Sequence, residues 1–175
     1  MIPGFHPLNL KTMEINFKLI VLLIGIICTG LTAGLCFTWS NAVTPGIGQI
    51  DDFGFLNSFQ AMNRAIINGI FLFVFFSPVF TLFLSTYLFK NNPVSFWLLL
   101  IAALLFFVGV ALVTIFGNVP LNEMLDKANL EALSAIELKE LRNKFENPWN
   151  RFHTIRTLSS VVSLTLLLVG LVYSK

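Results

Sequence analysis

Apolar residues along this chain gather into four long stretches, roughly Phe17–Ser40, Gly69–Phe89, Val94–Phe116 and Trp149–Tyr173, separated by shorter polar segments. A bilayer's hydrocarbon core needs about 20 mainly apolar residues in helical form, and each stretch is long enough. Backbone groups in lipid must be satisfied within their own segment, so the stretches read as helices. After the first, Phe55, Phe59, Met62 and Ile66 recur at spacings of four, three and four, while Gln60, Asn63, Arg64 and Ile67 point elsewhere. That pattern predicts an amphipathic helix at the membrane interface over about 51–68, with Asp51 and Asp52 placed to cap its start. A charged, surface-lying helix is predicted over about 134–147, opened by the capping box Ser134-Ala-Ile-Glu137. The expected fold is all-α: a membrane four-helix bundle with one or two interfacial amphipathic helices, a single domain over 1–175 with spans about 17–40, 69–89, 94–116 and 149–173.

Proline and glycine punctuate this layout. Pro45-Gly46-Ile47-Gly48 is expected to turn the chain after the first span, and Asn68-Gly69 to act as a hinge before the second. Pro78 should kink the second span. Lys90-Asn91-Asn92-Pro93 joins spans two and three as an antiparallel hairpin, and Gly117-Asn118-Val119-Pro120 is expected to interrupt helix three. Pro148 then restarts the chain as span four. Neither an internal repeat nor a low-complexity tract is evident.

Composition sharpens the class. The chain is 56% hydrophobic and 11% charged, against about 25% charged in a soluble domain, so a water-facing surface cannot be built from it. A formal charge of +2 without a basic run argues against nucleic acid. Cys28 and Cys36 share the first span; eight residues of helix separate them by about 12 Å, beyond disulfide reach, so they read as small apolar fillers. The first apolar run exceeds the about 7–15 residues of a signal-peptide core, so the N-terminus is read as leading into an uncleaved span, without a lipidation motif. An even number of spans puts both termini on one side, with Lys11, Lys18, Lys90 and Lys175 against Glu14. The other side holds Arg64, Lys127, Lys139, Arg142, Lys144, Arg151 and Arg156 against eight acids. If Arg64 and Arg156 face inward, much of that difference disappears and the positive-inside rule assigns no orientation. A multi-pass protein of a plasma or inner membrane is expected, with membrane lipid as its surroundings.

Polar residues inside the spans carry the candidate chemistry. Trp149, His153, Arg156, Ser160 and Ser163 follow at spacings of four, three, four and three, one continuous face of a helix. An arginine facing acyl chains costs several kcal/mol, so the face should line a pocket; the alternative is that Arg156 snorkels to headgroups and His153 is interfacial. A second group is Thr114, Gly117, Asn118, Pro120 and Asn122, where Pro120 frees backbone groups at membrane depth. Asn118 and Asn122 either satisfy those groups or point at a ligand. The topology brings Asn63, Arg64, Asn118, Asn122, His153, Arg156, Trp39 and Trp149 to one membrane-embedded mouth, although Trp39 and Trp149 also read as aromatic-belt anchors. Gly30-Leu-Thr-Ala-Gly34 permits close helix approach; packing within the bundle is the preferred use, and a homodimer through Gly30 and Gly34 the alternative. With His6 and His153 the only histidines and no HExxH, CxxC or embedded carboxylate cluster, neither a metal nor another cofactor is expected. The lack of embedded acids argues against a proton pump, and a P-loop or dinucleotide fingerprint is missing.

These same residues carry a resemblance. Gly30-Leu-Thr-Ala-Gly34 through Trp39, Pro45-Gly46, Met62-Asn63-Arg64, Thr114 with Asn118-Val-Pro-Leu-Asn122, and Trp149 with His153-Thr-Ile-Arg156-Thr157 resemble a family of small four-span membrane proteins that includes the fungal anthrone oxygenases. The resemblance spans nearly the whole chain, in order. It implies oxidation of an activated methylene in a lipophilic aromatic or polyketide-type small molecule, without metal or flavin. His153 would be the base, Arg156 and Arg64 the enolate stabilisers, Asn118 and Asn122 the hydrogen-bond donors, and Trp39 and Trp149 the walls. Two other classes stay open: a small-molecule binding or transport protein using the same pocket, and a non-catalytic accessory membrane subunit.

Overall fold

In the computed structural model, which describes residues 16–174, the chain forms five principal helices. They are α1 (Phe17–Ile47), α2 (Asp52–Ile66), α3 (Gly69–Leu88), α4 (Pro93–Asp126) and α5 (Ala135–Val172). There is no strand among the described residues. The N-terminal leader into the first span, with His6, Lys11 and Glu14, and Lys175 at the other end lie outside the described residues. Four of the helices, α1, α3, α4 and α5, are long and apolar enough to cross a membrane, making this a multi-pass membrane protein. Most of their outward side chains, such as Ile70, Phe80 and Phe116, are exposed and apolar, as a lipid-facing surface requires.

Local chemistry fixes where the helices begin. Asn16, Asp51, Asn68, Asn92 and Ser134 are extended N-cap residues, each accepting from a backbone N–H of the first turn. The capping box at Ser134 and Glu137 forms as its sequence predicts. Around the bundle the spans pack in the order α1, α3, α4, α5, and α5 closes back on α1. Leu22, Phe75, Leu82, Leu99, Phe106 and Leu167 make the membrane core. Serines tie the spans across it, Ser163 donating to the Ala102 carbonyl at 2.9 Å and Ser95 to that of Gly170 at 3.2 Å.

The helices run further than the prolines suggest. α1 does not turn at Pro45 but continues to Ile47, through a wide π-helical turn at Trp39–Val43. Thr44 there bonds back five residues to the Trp39 carbonyl, so proline's missing N–H is absorbed by a changed register. Helix α4 likewise runs unbroken through Gly117–Pro120, with π turns at Phe107–Leu112 and Thr114–Asn118. Pro148 does not restart a span either. Ala135–Val172 is one helix of 38 residues, about 57 Å long. The segment 134–147 is therefore not a separate surface helix but a stem, continuous with the span and reaching beyond a hydrocarbon core of about 30 Å. Its continuity rests on packing: Phe145 and Trp149, one turn apart across Pro148, are both buried against Phe55 and Phe59 of α2.

Helix α2 caps this head, and its buried face differs from the expected one. Gln60 and Asn63 do not point away; they join Phe55, Leu56 and Phe59 in the buried face. The Gln60 amide donates to the Leu125 and Ala128 carbonyls at 2.7 and 3.0 Å, satisfying the open end of α4. Arg142 of the stem reaches the other way, to the Gly48 and Ile50 carbonyls, Asp52 and Glu146, and lies over the Phe55 ring. Between this aromatic head and the membrane core lies a cavity.

Candidate functional site

The cavity has a volume of about 120 Å³ and is lined from all five helices. Phe71 and Phe75 of α3 form part of its wall; they follow Gly69 by two and six residues, placing the site about 3–9 Å below the start of that span. Trp39 stands in the π turn of α1 and Thr114 in that of α4, so two of the three irregular turns border the space. Such turns re-aim side chains that a regular helix would direct elsewhere.

Trp149 organises the polar wall. Its indole N–H donates to Asn122 Oδ1 at 2.8 Å, and its carbonyl accepts from Asn118 Nδ2 at 3.1 Å. The His153 ring stacks on the indole, centroids 4.8 Å apart, and the Arg156 guanidinium carbon lies 4.9 Å from the centre of the same indole. Trp39 closes the far side, its ring 5.5 Å from that of Trp149.

The bond pattern defines the imidazole. Arg156 has only donors, so its Nε–H must donate to His153 Nδ1, at 2.9 Å. Nδ1 is therefore unprotonated, and Nε2 carries the hydrogen that it donates to the Cys36 carbonyl at 3.1 Å. Both ring nitrogens are engaged. The guanidinium is not saturated: only its Nε–H has a protein acceptor, and no carboxylate lies within 4.0 Å of it, among the described residues. Asn63 Nδ2 and Thr114 Oγ1, both from cavity-lining residues, are buried without a partner. Among the described residues, one cation and several unclaimed donors thus face a space walled by aromatic and aliphatic groups, with no carboxylate in its lining.

Six of the eight residues expected at the mouth line this cavity: His153, Arg156, Asn63, Asn122, Trp39 and Trp149. The other two do not. Arg64 follows Asn63 by about 100° of helix turn and faces sideways, exposed, where its Nε lies 2.6 Å from Asp126 Oδ1. Asn118 is fully buried behind the wall, holding the Trp149 carbonyl. Thr32 and the stripe Ile67, Phe71, Phe75 line the space without having been singled out, and so does Thr114, which the sequence groups with Asn118 and Asn122 but not with the residues of the mouth. The stripe's spacing of four was available, but in a span almost wholly apolar it marks nothing. Gly30 faces Leu164 of α5 with room to spare, and Gly34 meets nothing within 4 Å. The close approach of α1 is instead at Gly25, where a Cβ would lie 2.7 Å from Leu82. No group of three or more His, Cys, Asp or Glu side chains converges as metal ligands would, among the described residues.

A family model described as Anthrone oxygenase matches residues 60–166, more than half of the chain and including every expected site residue except Trp39. No curated protein and no solved structure matches.

Proposed function

The chain belongs to the anthrone oxygenase family, and from that premise we propose that it oxygenates an enolisable, lipophilic aromatic molecule in the cavity beneath α2. The observation that supports this reading is the Arg156 guanidinium, which among the described residues has no carboxylate partner and faces an aromatic-walled space within the bundle. An enolate oxygen supplies the charge and acceptors that this wall lacks, and fixed donors in a water-poor site favour an oxyanion as it develops. Asn63, Asn122 and Thr114 are the further groups placed to meet the substrate's oxygens.

The chemistry balances with O2 as the named co-reactant. Loss of a C–H proton from a methylene beside the conjugated carbonyl gives the enolate. Its carbon bonds to O2, which it reduces, and protonation gives a hydroperoxide. That hydroperoxide loses water to leave a ketone, so R–CH2–R′ and O2 become R–CO–R′ and H2O. His153 Nδ1 is the base. It accepts from Arg156 Nε–H, and a substrate oxygen that draws the guanidinium away releases its lone pair.

The test is O2 uptake and product mass for the protein in lipid nanodiscs, against a panel of enolisable aryl-methylene ketones of one to three rings. One O2 consumed per ketone formed, with a loss of at least 100-fold in both His153→Ala and Arg156→Leu, is the expected result. Uptake no faster than in empty nanodiscs across the panel, or indifferent to both substitutions, refutes it. The engagement of both imidazole nitrogens favours a second reading, in which the cavity holds such a ligand without chemistry; binding without product would select it.

A further inference from the structure

The cavity's size and its mouth say what kind of molecule enters. We infer that its ligand is a single-ring phenol or cyclic enol bearing an alkyl tail, which enters sideways from the bilayer and leaves the tail there. This deepens the oxygenase reading and rests on it for the chemistry of the head group.

Three observations converge. The volume is about 120 Å³, close to the cavity of about 150 Å³ that accepts one benzene and far below the about 300–1,000 Å³ of sites that enclose drug-sized molecules. One ring fills it, and whatever follows that ring must pass through the mouth. The second is the rim. Among the lining residues, Ile67 is 70% exposed, Val119 37% and Leu35 36%. They come from the α2–α3 elbow, α4 and α1, so the opening lies between helices. Ile70 and Phe116, 80% and 75% exposed, continue the apolar surface alongside it. Both stand on helices long and apolar enough to cross a membrane, which points to a lateral route in. The third is the inner wall, where Arg156 and the unpartnered Asn63 amide and Thr114 hydroxyl await an oxygen. A head group with an acidic hydroxyl on one ring satisfies the inner wall and the volume, and an alkyl tail satisfies the rim.

The phenol is the non-reacting counterpart of the enol, so the test is binding of tritiated 4-octylphenol to the protein in nanodiscs under nitrogen. Unlabelled phenol, 4-octylanisole and anthrone are competitors. Expected are saturable binding and competition by anthrone at least ten-fold weaker than by unlabelled 4-octylphenol. The anisole, which lacks the acidic hydroxyl, should also be at least ten-fold weaker, and tail-less phenol at least 100-fold. Ile67→Trp and Val119→Trp, exposed positions that narrow the mouth, should each weaken binding at least ten-fold. Ile101→Trp, on a lipid face away from the site and 45% exposed, should leave it unchanged. Anthrone competing as well as 4-octylphenol, or mouth substitutions without effect, overturns the inference. Because no O2 is present, these results are independent of turnover: tight, mouth-sensitive binding beside a failed oxygenation assay sinks the oxygenase reading alone, and turnover of three-ring substrates with no 4-octylphenol binding sinks this one alone.

Discussion

Gly109 stands where α4 and α5 nearly touch, and replacing it tests whether that approach holds the site together. A Cβ built there would lie 2.6 Å from Ser159 Cβ, and nearer still to Ser159 Oγ. Carbon atoms in contact prefer about 3.5–4.0 Å. The Ser159 Cβ is fixed to its backbone, so no rotamer change relieves the clash, and Gly109→Ala must part the two helices by about 1 Å. Overpacking of this kind costs about 1–3 kcal/mol, and alanine's better helix propensity returns at most about 1 kcal/mol. A net loss of about 1–2 kcal/mol is expected, read as a lower unfolding temperature in detergent by tryptophan fluorescence. Ser159 lies one turn beyond Arg156, so the displacement also reaches the cavity, where a shift of about 1 Å can cost about 100-fold in activity. Second-site changes separate the causes. Ser159→Ala removes the hydroxyl but keeps the Cβ, and should not rescue; Ser159→Gly removes both, and should recover most of the coupling in a double-mutant cycle. Gly109→Ala at wild-type stability, or equal rescue by the two partners, refutes the reasoning.

Two further substitutions separate the arginines. Arg64→Ala breaks an ion pair whose side chains are 61% and 50% exposed, so it should cost less than about 1 kcal/mol of stability and leave 4-octylphenol affinity within two-fold of wild type. A ten-fold loss would place Arg64 in ligand binding after all. Arg142→Ala removes charge-assisted bonds to the Gly48 and Ile50 carbonyls, Asp52 and Glu146, and should cost about 2–3 kcal/mol. Arg142→Lys should recover only a minor part, since one ammonium cannot span that set of acceptors; full recovery in the thermal assay would show that charge alone is needed.

The spans were legible because apolar length is a strong signal, and the N-caps because Asn, Asp and Ser stand at helix starts with few competing roles. The α5 face was legible for a related reason: Trp149, His153, Arg156, Ser160 and Ser163 recur at helical spacing along one side of the span, and that side is the one turned into the bundle. What could not be read were choices made by packing. Pro45, Pro120 and Pro148 signal breaks, yet each helix continues, twice by a π turn and once because Phe145 and Trp149 are clamped by α2. Asn63 and Arg64 are neighbours with opposite fates, decided by where Asp126 ends up. Gln60 reads as a solvent-facing residue because its partners, the Leu125 and Ala128 carbonyls, are more than 60 positions away.

The balance of donors and acceptors around Arg156 connects the stability of the bundle to what it can hold. A guanidinium at this depth costs several kcal/mol, and the protein offsets that with one bond to His153 and the face of Trp149. The Asn63 amide and the Thr114 hydroxyl add to the deficit, because buried polar groups without partners carry their full desolvation cost. An apolar guest fills the volume but leaves every one of these groups as it was. A neutral ketone brings lone pairs and no charge. An enolate or phenolate brings both, so it recovers more of the deficit than either, and the difference is larger in a low-dielectric wall than it would be in water. That imbalance predicts an order of affinity, oxyanion over carbonyl over hydrocarbon, before any contact specific to a carbon skeleton is made. That ranking is also what enolate chemistry requires, since a wall that prefers the enolate to its parent ketone lowers the barrier between them.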